Sequence, residues 1–324
     1  MLLRIVPVLT AMFALTAFAA RTSADDYPNR PLRLIVTSPP GGTSDALARP
    51  VMEKLAESLG KQIVIDNRAG ASGNIGTEIV AKAAPDGYTL LLGQTQTLAV
   101  NPTLYKKLPF DPLLDFAPVA MIATVAFVLT ASPSLPVNSV TELIKLAKAK
   151  PGQLTYASAS AGSVSHLAGE LLKSMTGIEM VHVPYKGAGP AITDLVGGHV
   201  MLMFAGGPSA LTQIKAGRLK PIAVAGPKRL AAFSGLPTIA ESGVPGFDVS
   251  AWWGVVAPAR TPGGIVARLN RDINKAIDLP DVKERLTSQA AEPTIMTPAD
   301  FAAYINSEYT KWAKVVKESG AKID

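Results

Sequence analysis

The sequence predicts an α/β protein of two lobes, with apolar strands covered by helices. Three observations carry this. β-type and helix-type runs alternate along most of the chain. The strand runs are apolar throughout, as in parallel sheets buried on both faces. The 324 residues exceed the ~150 of a typical domain. No Pro/Gly/Ser-rich joint separates two halves, so more than one chain crossing should connect the lobes.

The elements follow in order. "LRLIVT" (32–37) is the first strand, and "SDALARPVMEKLAESLG" (44–60) the first helix, because Leu47, Val51, Leu55 and Leu59 recur every fourth residue. Gly60 closes it. "QIVIDN" (62–67) is a strand, followed by the glycine-rich turn "RAGASGNIG" and a helix near 74–84 that "PDG" ends. "YTLLLG" (88–93) is the next strand. Beyond residue 124 come the strand "VAFVLTAS", a helix at 139–149, "QLTYAS" (153–158), a helix at 163–176 and "MVHVPY" (180–185). A helix near 188–197 and the strands "VMLMFA" (200–205) and "PIAVAG" (221–226) complete the reading.

The first two dozen residues stand apart from this pattern. Arg4 precedes an apolar run too short to span a bilayer, and small residues follow at 17–19 and 22–24. This is the plan of a signal peptide cleaved after residue 19 or 24, which predicts an exported, periplasmic chain. There is no cysteine, which excludes a lipid-anchoring cysteine, a disulfide framework and thiol catalysis. The formal charge of +6 falls to about +4 without Arg4 and Arg21. The remaining Lys and Arg are scattered with no basic run, so no nucleic-acid partner is expected.

Two loops draw attention as sites. In open sheets ligands sit beyond the carboxyl ends of strands, where loops turn into helix N-termini. The first N–H groups of a helix lack an intrahelical acceptor and sit at the positive end of its dipole, so they bind an anion without a lysine. "SPPGGTSDALAR" offers Gly41 and Gly42 for close approach of backbone, with Thr43 and Ser44 at the cap. "YASASAGSVSHLAGELL" (156–172) repeats the arrangement: Ser158, Ser160, Ser163 and Ser165 cluster around Gly162, with His166 in the first turn. Facing each other across a cleft, two such loops suit a small molecule bearing one or two carboxylates. "RAGASGNIG" is a third candidate for cleft lining.

Enzyme signatures are absent. There is no G-x-S-x-G elbow, no Walker A motif and no G-x-G-x-x-G after a strand. His182 and His199 fall in strand contexts without metal-ligand spacing. A Ser163/His166 dyad would make the chain an exported hydrolase, but the proton acceptor of such a pair usually lies elsewhere in the chain, oriented by a third group. No enzyme, cofactor or metal is expected.

The segments "YPNRPLRLIVTSPPGGTSDALAR", "NRAGASGNIGTEIVAKAAPDGYTLLLG", "NPTLYKKLPFDPLLDFAPVA", "SAGSVSHLAGELLKSMTGIEMVHVPYKGAGPAITDLVGGHV" and "PDVKERL" together resemble the Bug-type periplasmic substrate-binding proteins of tripartite tricarboxylate transporters. The resemblance spans essentially the whole mature chain. It implies a fold like the type II periplasmic binding proteins: two Rossmann-like α/β lobes around a ligand cleft, lobe 1 from 25–126 plus 250–324 and lobe 2 from 127–249. It implies a monomer that closes on a small organic acid, a dicarboxylate or an aromatic carboxylate, and delivers it to a membrane transporter or sensor. Carried onto this chain, the ligand contacts fall on Pro40, Gly41, Gly42, Thr43, Ser44 and Asp45, and on Ser160, Ala161, Gly162, Ser163, Ser165 and His166. Many relatives place an Asp after the "VMLMF" strand, whereas this chain has Ala205 and Gly206. An apolar ligand body lying against Ala205 and Gly206, and no amine, are therefore expected.

Overall fold

The computed structural model describes residues 27–233 and 235–321; the expected export segment lies outside the described residues. The chain opens with strand β1 (Leu32–Val36), helix α1 (Thr43–Leu59), β2 (Ile63–Asn67), α2 (Asn74–Ala81) and β3 (Thr89–Gln94). Gly60 terminates α1 in the left-handed conformation, its N–H reaching back to the last carbonyls. A π-helical turn (Gln96–Val100) and the short α3 (Asn101–Leu104) follow, where no helix is expected from sequence. The expected strand near 125–132 is the second half of β4 (Phe116–Ala131), a 16-residue strand.

The middle of the chain matches its periodicity: α4 (Val140–Ala149), β5 (Leu154–Ser158), α5 (Val164–Thr176), β6 (Met180–Pro184), α6 (Ala188–Gly197), β7 (Leu202–Gly206), α7 (Gly207–Lys215) and β8 (Lys220–Val224). Ser139 caps α4 by accepting from the Glu142 N–H, while the Glu142 carboxylate accepts from the Asn138 N–H. Beyond residue 226, where no element is expected, lie β9 (Ser250–Pro258), α8 (Gly263–Asp278), α9 (Pro280–Ser288), β10 (Ala291–Pro293) and α10 (Pro298–Ser319).

The strands hydrogen-bond in the order β2-β1-β3-β9-β4-β7-β5-β6, with β8 and β10 also on β4. Two trios are parallel, β2-β1-β3 and β6-β5-β7. Between them β9 runs antiparallel to β3 and β4, and β4 is antiparallel to β7, β8 and β10. The purely parallel sheets expected from apolar strands are therefore corrected to a mixed sheet. The reason is simple: β9 is buried at every position, and hydropathy reports burial on both faces without reporting strand direction.

β4 joins the two halves. Its residues 116–126 pair with β9, and residues 127–131 pair with β7. The apolar side chains segregate accordingly. One cluster gathers Leu34, Leu47, Leu55, Leu92, Val255 and Leu269 against α1 and α8. Another gathers Leu129, Tyr156, Leu167, Phe204 and Phe247, and is completed by Trp312, Val315 and Val316 from the end of α10. The last helix thus fastens onto the second half of the sheet.

Candidate functional site

The first loop follows β1 and is held by one carboxylate. Asp45, 3% exposed, sits in the first turn of α1. It accepts hydrogen bonds from the Gly41 N–H (2.9 Å), from Arg49 Nη2 (2.8 Å) and from Asn67 Nδ2 (2.9 Å). Burial alone would raise its pKa, but the Asn67, Gly41 and Arg49 donors outweigh it and hold the carboxyl below the usual carboxylate range. Asn67 also donates to the Ser38 carbonyl, so β2 braces the loop from behind. Gly41 lies at φ +79°, which favours glycine; Gly42, the cap of α1, lies at −83° and does not need to be one.

This differs from the expected division of labour. Thr43 and Ser44 are the first residues of α1 itself and no side chain caps the helix. The Ser44 hydroxyl accepts from Trp253 Nε1 at 3.0 Å, fixing that indole. The N–H groups of Thr43, Ser44 and Asp45 remain without an intrahelical acceptor, by the geometry of a first turn.

The second loop is built from hydroxyls that bond one another. Ser163 caps α5, accepting from the His166 N–H and donating to the Ser160 carbonyl (2.7 Å). The Ser165 hydroxyl accepts from the Ala159 N–H and lies 3.0 Å from Ser163 Oγ. Gly162, at φ +73°, donates its N–H to His166 Nδ1 at 3.0 Å. Its amide is thus already spent, whereas Val164 and Ser165 open the helix with free first-turn N–H groups. Behind the loop, Ser158 Oγ lies 2.7 Å from His182 Nε2.

A cleft opens between the halves of the sheet. Ser163, Val164, Ser165 and Ala159 line it from one half; Gln94, Thr95 and Gln96, Ala251 and Trp253 from the other; Phe127 lies at the junction. Gln96 Nε2 reaches the Gly162 carbonyl at 3.3 Å and Asn101 Oδ1 at 2.8 Å. None of these lining residues is charged. Gln94, Thr95, Gln96, Phe127, Ala251 and Trp253 were invisible as site residues in sequence. The one available signal is that "GQTQT" places polar residues directly after a buried strand, at its carboxyl end.

Several expected positions fall elsewhere. Ala205 is fully buried in the cluster with Val128, Met203 and Ala210 and does not face the cleft. Gly206 is also absent from the lining, but it pairs with the lining residue Phe127, and a side chain there would meet open space. Alternation along β7 sends the two residues to opposite faces. The "RAGASGNIG" turn packs behind the first loop, with Gly73 against Thr37 and Thr97, and contributes none of the lining residues named above. Ser163 and His166 do not form a nucleophile–base pair, because His166 Nδ1 accepts from Gly162, and the Ser163 hydroxyl donates to the Ser160 carbonyl and touches His166 through its backbone N–H rather than its ring. Among the described residues no cluster of three or more His, Cys, Asp or Glu side chains could hold a metal, and no helix is long and apolar enough to cross a membrane.

Known proteins match this chain in sequence and in fold. The family described as "Tripartite tricarboxylate transporter family receptor" matches residues 47–321. Protein BugT of Bordetella pertussis is 42% identical over 321 residues, covering 99% of this chain and 98% of that protein. The solved structure of R. palustris Rpa4515 with adipate superposes with a TM-score of 0.82 at 41% identity, over 91% of this chain and 99% of that one. MatC from Rhodopseudomonas palustris with bound malate gives a TM-score of 0.77 at 34% identity, over 90% and 100%. With two α/β lobes around a cleft and a family match over most of its length, the chain belongs to the tripartite tricarboxylate transporter receptors, which are periplasmic solute-binding proteins and not enzymes.

Proposed function

We propose that this protein, after export and cleavage of its signal peptide following residue 19 or 24, captures a small organic carboxylate in the interlobe cleft by hinge closure and delivers it to a membrane transporter or sensor. The observation that carries the reading is the cleft itself. It takes its lining from both halves of the sheet, carries no charged side chain, includes the start of α5 with its unpaired N–H groups, and is tied to the start of α1 through the Trp253–Ser44 hydrogen bond, although no residue of the first loop lines it. Such donors neutralise a carboxylate without a counter-ion. Relatives hold adipate and malate, both small acids without an amine.

The hinge lies where lobe 1 (25–126 plus 250–324) meets lobe 2 (127–249). Ala126 pairs with Ser250 at that boundary, so two adjacent strands would bend together. A ligand touching both lobes only when closed shifts the population toward the closed form. The acid's body rests against Phe127, Val164, Ala251 and Trp253, in place of the Ala205 surface. An ammonium would find no acceptor charge there, since Asp45 is saturated by its own loop.

Mass spectrometry of acid released from denatured protein, followed by a thermal-shift screen of mono-, di- and tricarboxylates, tests the proposal. A cognate acid at 100-fold excess over Kd should stabilise by about 2.7 kcal/mol. A ligand-free preparation that responds to none of them would refute it. Aspartate or glutamate as the tight ligand would refute the amine-free assignment alone.

A further inference from the structure

Three aromatic rings stack beneath the second loop. His166 and His182 are face to face, with centroids 3.8 Å apart and planes 17° from parallel, and Tyr156 continues the column 5.0 Å from His182. His166 is 8% exposed and Tyr156 1%. Each imidazole holds one point of the loop, His182 through Ser158 and His166 through the Gly162 N–H.

The hydrogen bonds fix the tautomers. Ser158 Oγ donates its one proton to the Ser160 carbonyl at 2.9 Å, so it accepts from His182 Nε2–H. His166 Nδ1 accepts an N–H, so it is bare and the ring carries its proton on Nε2. We propose that His166 is a positioning residue whose neutral, Nε2-protonated form holds the ligand-binding loop, so that its protonation releases the loop and the bound acid. A proton on Nδ1 would point at the Gly162 N–H, donor against donor. The loop would have to turn that amide elsewhere and carry Ser163, the cap of α5, with it.

The charged and titratable surroundings are few. Glu170 on the same helix lies 3.9 Å from His166 Nε2, but it accepts from the Tyr156 hydroxyl at 2.5 Å and is paired with Lys173 at 2.9 Å. From β6 the facing group is His182, and from β5 it is Tyr156. Burial lowers the pKa of His166, opposed by Glu170 and assisted by Lys173. Burial and the neighbouring His166 push His182 down to about 4. Two imidazoles in van der Waals contact resist double charging, and the one beside Glu170 takes the first proton. The inference rests on the second loop being part of the ligand site, and its test is arranged so that the two can fail separately.

With only three histidines in the chain, long-range proton–nitrogen NMR of the ligand-free protein resolves each ring. His166 should show a bare Nδ1 at neutral pH, and the Gly162 amide should titrate with the His166 midpoint. In His166→Asn, whose side-chain oxygen replaces Nδ1 as an uncharged acceptor, that Gly162 titration should vanish. An Nδ1-protonated His166 at neutral pH, or a Gly162 titration unchanged in His166→Asn, would overturn the proposal whatever the protein binds. In the binding arm, with adipate as probe, one pH unit below the His166 midpoint should cost the wild type about tenfold more affinity than His166→Asn, because the neutral fraction falls tenfold per unit. The acid's own titration is common to both. Parallel pH profiles would also overturn it. Absence of any adipate binding by either protein would count against the choice of acid, and the NMR titration would then decide alone.

Discussion

Replacing Asp45 by Ala should both loosen the fold and weaken ligand binding, because a single buried carboxylate ties three segments together. The Arg49 pair contributes little, at most about 1 kcal/mol, since that side chain is 48% exposed. The Gly41 N–H and Asn67 amide are the substantial partners, and hydrogen bonds to a charged group are worth ~1.5–3 kcal/mol each. Water reaches Gly41, which is exposed, and recovers part of that. The net loss should be roughly 2–4 kcal/mol, or ~4–8 °C in Tm at about 2 °C per kcal/mol for a chain of this size. Asp45→Asn keeps one oxygen facing Asn67 or Gly41 and should lose about half as much. The pH dependence has a definite sign. The folded pKa is depressed, so the stabilisation is present above the unfolded value of 3.8 and is lost as pH falls through the lower folded value. Urea denaturation from pH 7 to pH 3, beside calorimetric titration with the cognate acid, reads all three effects. An Asp45→Ala protein with wild-type stability would refute the account of the loop. One that is destabilised yet binds as tightly as wild type would detach the loop from the site.

Other perturbations separate fold from site. Gly206→Val should leave stability within ~0.5 kcal/mol, as for a surface change, because a Cβ there meets nothing within 4 Å, yet abolish binding by filling the cleft beside Phe127. Calorimetric titration with the cognate acid checks it. Ala205→Asp, one residue away, buries an unpaired charge and should unfold the second lobe rather than act on affinity, which circular dichroism decides. Ser44→Ala strips the Trp253 indole N–H of its acceptor and should cost ~1–3 kcal/mol together with a shift in tryptophan fluorescence. Gly169→Ala drives a methyl into the buried Tyr156 ring, an overpacking expected to cost ~1–3 kcal/mol or more, and melting curves show whether it does.

The features legible along the chain are local and periodic. The fourfold spacing of Leu47 to Leu59 specifies α1, Gly60 stops it, and a strand followed by small residues and a helix marks both candidate loops. Those features depend on neighbours within a few residues, so a linear reading captures them. The family likewise shows in contiguous motifs. Tertiary structure decided everything that rests on pairing. Whether β9 runs with or against β3, and which face of β7 carries Ala205, depend on partners far along the chain, since burial looks the same for either direction. The cleft lining was illegible for the same reason: Trp253 lines the cleft from β9, and its indole is held there by Ser44, 209 positions earlier. His166 reads in sequence as a ligand contact or a base. The fold makes it an acceptor for Gly162, because a ring buried in a stack has one nitrogen free and a backbone amide nearest to it.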